Sequence, residues 1–244
     1  MKSLPYLPTG HPKHFLDLYT PDASNYPTLV FIHGGGWMDG DKERYPHWGE
    51  WLAQHGIGCA LLNYRLTPEV KHPDHCKDAA AGLAWVYRNI SDHGGDPSKI
   101  ILCGYSSGGH IAACIGMDPD FLKDHGLSLN IIKGMVCISG VYLINFTLDI
   151  AGYGHVFPRH HRHRGSPINH CRPDLPPFMV VYATDEYITL DRQAMNFHDR
   201  LIEKGCQSKL FLIEAEHQFV TEAMCQEGNK VGQEFLEFIA GACQ

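Results

Sequence analysis

The chain is 244 residues long, 44% hydrophobic and 19% charged, a composition that excludes a disordered chain, a collagen and a coiled coil. Its formal net charge of −7 argues against a broad basic face for nucleic acid. No apolar run approaches ~18 residues, which excludes a membrane-spanning helix. The prolines and histidines near the start are unlike a signal peptide, so a cytoplasmic protein is expected.

In chain order, strands are expected at Phe15–Tyr19 and Thr28–His33, followed by a helix at Tyr45–His55. Strand Ile57–Asn63, helix Pro73–Asn89, strand Ile100–Gly104 and helix Ser107–Gly116 continue the alternation. After strand Ile132–Ser139, residues 141–172 show no clear period and read as an irregular, cap-like excursion. Strand Phe178–Ala183, helix Asp191–Lys204, strand Lys209–Glu214 and helix Thr221–Ala240 complete the chain. Most strand candidates are continuous apolar runs, as expected of strands buried on both faces of a parallel sheet. Their alternation with helices predicts one α/β domain over residues 1–244, a mostly parallel twisted sheet flanked by helices in three layers.

The nine cysteines include no CxxC pair, and several sit inside apolar runs, so they read as reduced thiols. Two glycosylation-like sequons, at Asn89 and Asn145, read as chance. Between His155 and His170 the histidines suggest a metal site formed by His155, His160, His161 and His163. Arg159, Arg162 and Arg164 are interleaved and would repel a cation, so no metal and no cofactor is expected. The same arginines and histidines would give an alkyl tail little apolar surface if they rimmed an active site.

The strongest chemical signal is Gly104-Tyr105-Ser106-Ser107-Gly108, a G-x-S-x-G between an apolar strand and a helix. The flanking glycines suit a sharp strand-to-helix turn that strains the middle residue and lifts its hydroxyl above the sheet. Only Ser106 has glycine at both −2 and +2, so it is the candidate nucleophile and Ser107 supplies a backbone N–H. The second signal is His33-Gly34-Gly35-Gly36-Trp37, directly after the strand TLVFI. Loops of this kind provide the other half of an oxyanion hole, with Gly35, Gly36 and Ser107 as the expected donors. One such donor contributes about 2.7–4 kcal/mol to the barrier it lowers.

A serine hydroxyl needs a base, and the base needs an orienting acid. His217 follows the last strand candidate and is the expected base. The acid should leave the preceding strand, where the chain reads Thr184-Asp185-Glu186; Asp185 comes first, with Glu186 as the alternative. Glu214 and Glu216 read as surface or rim residues. Trp37 and Tyr105 are candidate aromatic contacts for substrate.

These motifs resemble the α/β-hydrolase superfamily, and more closely the small carboxylesterases with an HGGGW loop, near hormone-sensitive-lipase-like esterases and kynurenine formamidases. The matching stretches include LDLYTPDA, HGGGWMDGDK, NYRLTP, KDAAAGLAWVYRN, GYSSGGHIAA and ISGVY. The resemblance implies a triad of Ser106, Asp185 and His217, with Asp78 and the Asn63-Tyr64-Arg65 run bracing the loops. The elbow reads GYSSG where lipase-like relatives carry GDSAG, and few residues precede the HGGGW strand. Both features point to the feruloyl-esterase-like and formamidase-like branches with a minimal cap. The expected activity is hydrolysis of small carboxylic esters through an acyl-enzyme, with short acyl chains favoured because the second half of 141–172 is crowded with arginine and histidine. The alternatives are an arylformamidase acting on an N-formyl aromatic amine and, more remotely, a non-catalytic ligand-binding member of the fold. The expected partner is a small-molecule ester or formamide, with no nucleic acid and no membrane.

Overall fold

The alternation within the strand Tyr26–Ile32 shows how the sheet acquires two buried faces. Leu29 and Phe31 pack into one apolar core, while Val30 and Ile32 pack into another on the opposite side. The computed structural model describes residues 1–244. Its strands are β1 (Lys2–Pro5), β2 (Phe15–Tyr19), β3 (Tyr26–Ile32), β4 (Gly58–Leu62), β5 (Gly95–Tyr105), β6 (Ile132–Ile138), β7 (Phe178–Asp185) and β8 (Ser208–Glu216). They form one sheet in the order β1-β2-β4-β3-β5-β6-β7-β8. β1 and β2 run antiparallel at one edge, and the remaining strands are parallel.

The helices are α1 (Pro46–Gln54), α2 (Asp74–Asn89), α3 (Ser107–Met117), α4 (Asp120–Lys123), α5 (Phe146–Ile150), α6 (Leu190–Glu203), α7 (Val220–Met224) and α8 (Lys230–Ala242). α2, α3 and α6 cover one face through residues such as Leu83, Ile111 and Phe197. α1, α7 and α8 cover the other through Trp48, Met224 and Phe235. The Trp48 and Phe235 rings lie 5.1 Å apart and are fully buried. Truncating Phe235 to alanine would cost about 3–5 kcal/mol.

Three expectations about elements change. β1 carries exposed residues and a proline, so it has no apolar alternation to betray it; its pairing with β2 at the sheet edge makes it a strand. The helix expected over Thr221–Ala240 is two helices. Gly228 between them has φ of +76°, and Asn229 caps α8 by accepting from the Gly232 N–H at 3.0 Å. β7 runs two residues past Ala183, through a register shift, to pair Asp185 with Glu216.

Residues 141–172 leave the sheet between β6 and β7 as α5 and two short 3-10 turns. The His- and Arg-rich half is turned away from the C-terminal edge of the sheet. Arg164 pairs with Asp118 and Asp120 at 2.6 and 2.7 Å, Arg162 pairs with Asp149 on α5, and Gly165 accepts a hydrogen bond from His110 of α3. The expectation that this half forms a polar rim is therefore corrected: Arg162 and Arg164 are neutralised by partners on α4, on α5 and in the α3–α4 connection.

Candidate active site

Ser106 sits at the β5–α3 junction with φ of +55° and ψ of −121°, a conformation that L-residues rarely adopt. The glycines around it are required by contact. A Cβ on Gly108 would lie 2.0 Å from the Ile32 carbonyl oxygen, and one on Gly104 2.1 Å from the Gly108 carbonyl oxygen. The turn is held by the Ser106 N–H donating to Ile138 at 2.8 Å and the His110 N–H donating to Ser106 at 3.2 Å. The Ser106 hydroxyl is thereby aimed at His217, whose Nε2 is 3.0 Å from Oγ.

His217 begins the turn after β8 and is buried. The Tyr105 hydroxyl donates to its backbone carbonyl at 2.6 Å, and the Tyr187 ring lies 4.3 Å from its ring. Its Nδ1 is 2.5 Å from Glu186 Oε2, and the other Glu186 oxygen accepts from the Ala183 N–H at 2.9 Å. Asp185, the expected acid, is exposed and remains in β7 opposite Glu216. The rule that the first acid leaving the strand faces the histidine holds. The strand is two residues longer than expected, so that acid is Glu186.

The glycine loop after β3 is pinned from behind. The His33 Nδ1–H donates to the Gly34 carbonyl at 2.7 Å, and the Tyr64 hydroxyl donates to the His33 carbonyl at 3.0 Å. His33 is fully buried and stacked on Tyr64, and desolvation holds its pKa down at about 4, so it is neutral. Arg65 and Asp78 form a bidentate pair at 2.8 Å, and Asn63 bridges Asp41 and the Lys42 N–H. These contacts place the expected scaffold residues around the loop.

Gly35 has φ of +124°, and a Cβ there would meet the Asp39 carbonyl oxygen at 2.0 Å. The Gly35 carbonyl accepts from Met38 and Asp39, while the amides of Gly35 and Gly36 donate to no backbone carbonyl. Gly35, Gly36 and Ser107 line one cleft with Ser106 and His217. Ser107 opens α3, where amide N–H groups lack intrahelical partners and the helix dipole favours negative charge.

The two aromatic candidates, Trp37 and Tyr105, both line the cleft and also brace it. Trp37 borders the cleft but is only 2% exposed; its Nε1–H donates to His110 Nδ1 at 3.2 Å. It braces the glycine loop after β3 against α3. Tyr105 is also buried, and its hydroxyl is committed to the His217 backbone. His110 accepts from Trp37 at Nδ1 and donates from Nε2 to Gly165 at 2.8 Å, which requires the neutral ring. Burial lowers its pKa to about 4. Sequence reading missed this brace, although a histidine two residues past the second elbow glycine was the available signal.

Residues 16–132 match the BD-FAE family. The esterase Est2 of Thermogutta terrifontis, solved with propionate bound, superposes with a TM-score of 0.80 at 25% identity, covering 98% of this chain and 92% of that one. The chain has the α/β-hydrolase fold. A probable isoprenylcysteine alpha-carbonyl methylesterase of Arabidopsis thaliana is 30% identical over 84% of this α/β-hydrolase and 48% of its own length. The probable carboxylic ester hydrolase LipM of Mycobacterium tuberculosis is 32% identical over 76% of this chain and 47% of its own. This α/β-hydrolase thus spans about half the length of the curated relatives it matches. No helix in it is long and apolar enough to cross a membrane.

Proposed function

We propose that this α/β-hydrolase cleaves small carboxylic esters, with Ser106 as nucleophile, His217 as general base and acid, and Glu186 as the orienting acid. The observation that carries the reading is the continuous line from Glu186 Oε2 through His217 to Ser106 Oγ, with steps of 2.5 and 3.0 Å. In this reading His217 Nε2 removes the serine proton as Oγ attacks the acyl carbon. Glu186 holds the proton on Nδ1 and stabilises the imidazolium. The amides of Gly35, Gly36 and Ser107 receive the developing oxyanion. His217 then protonates the departing alkoxide. In the second half of the cycle it takes a proton from water, which attacks the acyl-enzyme and regenerates Ser106.

The complete Ser–His–Glu line argues against a non-catalytic binder. The relatives above are named as esterases, which favours an ester over a formamide. The single eight-stranded sheet supports reading residues 1–244 as one domain, with 141–172 as a cap-like excursion. All nine cysteines are free, which supports a reducing compartment such as the cytoplasm.

The test is hydrolysis of p-nitrophenyl acetate by the purified protein and by its Ser106→Ala variant. The reading expects turnover that the variant abolishes. Turnover surviving the substitution at the wild-type rate overturns it.

A further inference from the structure

The cleft around Ser106, of about 890 Å³, has two unlike ends. Its polar walls are Asp39 and Arg44, which precede α1, and Gln218 and Glu222, just before α7 and within it. Arg44 is held there by Asp39 through two 3.0 Å hydrogen bonds. Its apolar walls are Val141, Leu148 and Leu190, which pack into the core under α2, α3 and α6, together with the exposed Ile150 and Ile188 beside them in the chain. This second wall is fixed in place: Gln193 of α6 accepts from the N–H groups of both Tyr142 and Leu143 at 2.8 Å, tying α6 to the start of the excursion.

The rim of the apolar end is unusually bare. Ile188 is 92% exposed and Ile150 78%, and the neighbouring Phe146 of α5 is 67% exposed. All three stand on α5 or on the β7–α6 connection, the two segments that build this end. Single exposed apolar residues are ordinary, but a group of them rimming a cleft marks a binding site. Neither Asp149 of α5 nor any of residues 155–170 lines the cleft, so the wall at this end is uncharged. A cleft of this size suits a drug-sized ligand and exceeds what an acetate ester fills.

We propose that this end is a subsite for an extended apolar arm of the ester, lying against Leu148, Ile150 and Ile188, with a compact polar arm at the opposite end. The inference rests on the esterase reading and replaces the short-acyl expectation, whose polar rim the structure turns away from the cleft. The apolar arm can belong to the acid or to the alcohol, and two substrate series separate these sources. One is p-nitrophenyl acetate, butyrate and octanoate; the other is ethyl, butyl and octyl acetate followed by acid release.

In at least one series kcat/KM should rise about tenfold or more from the shortest to the longest member. Ile188→Ser and Ile150→Ser should each cut the longest member at least fivefold more than the shortest, chiefly through KM. Flat or falling values in both series of the wild-type protein overturn the subsite, as does an equal loss on short and long esters in both variants. Failure of the esterase reading looks different: p-nitrophenyl acetate would then be turned over without Ser106, or not at all.

Discussion

Replacing Glu186 by glutamine probes the acid assignment without changing side-chain size. Glu186 Oε1 already accepts the Ala183 N–H at 2.9 Å, so the amide oxygen of glutamine inherits that place. The NH2 group then faces His217 Nδ1, 2.5 Å from the oxygen it replaces. Nδ1 must become the acceptor, which moves the ring proton to Nε2. His217 would then donate to Ser106 Oγ instead of accepting its proton. A wrong tautomer of this kind lowers kcat by on the order of 10⁴-fold, about 5.5 kcal/mol of barrier. Substrate binding should be unaffected, so KM for p-nitrophenyl acetate should stay within about threefold. Asp185→Asn changes an exposed strand residue and should leave kcat within about threefold. Thermal unfolding by circular dichroism controls for folding in both variants. A Glu186→Gln enzyme with near wild-type kcat, or an equal collapse in Asp185→Asn, would refute the assignment.

Ser107→Ala should retain most activity, because it keeps the backbone N–H, whereas Ser106→Ala should lose it; steady-state turnover with the order reversed would shift the register of the elbow. Gly108→Ala places a Cβ 2.0 Å from a backbone oxygen that cannot yield; a cost of about 3 kcal/mol or more is expected, read as a Tm drop of about 6 °C or more, and a drop under about 2 °C would contradict the contact argument. Burial lowers the pKa values of His33, His75 and His110 to about 4 and of His72 to about 2. The unfolded chain protonates these rings near pH 6.5, so their contribution is fully present above that pH and is lost as the pH falls toward 4, on the order of 1–2 kcal/mol each by pH 5. The urea midpoint should therefore fall steadily from pH 7 to pH 5, and a constant midpoint would contradict neutral burial.

The serine and the histidine were legible because local chemistry determines their surroundings. The glycines at 104 and 108 are there because backbone oxygens occupy the space a Cβ would need, and that constraint is written in five consecutive residues. His217 was legible from its place just after an apolar strand. The acid was not, because choosing between Asp185 and Glu186 depends on where β7 ends. A register shift after Ala183, paired against β8, carries the strand two residues further. The same limit hid the direction of the excursion: the Arg164 pairs with Asp118 and Asp120 join residues more than 40 positions apart. Composition alone suggested a charged rim, and tertiary pairing turned those charges elsewhere. β1 escaped notice because an exposed edge strand needs no apolar alternation.

The central claim is that Ser106 is the nucleophile activated by His217, and covalent titration tests it most directly. Incubation with diethyl p-nitrophenyl phosphate, followed by peptide mass spectrometry, should show one p-nitrophenolate released per chain. The diethylphosphoryl group should sit on Ser106, with parallel loss of esterase activity and a much slower reaction in His217→Ala. Loss of activity with Ser106 unmodified, or labelling of Ser106 at the same rate without His217, would contradict it.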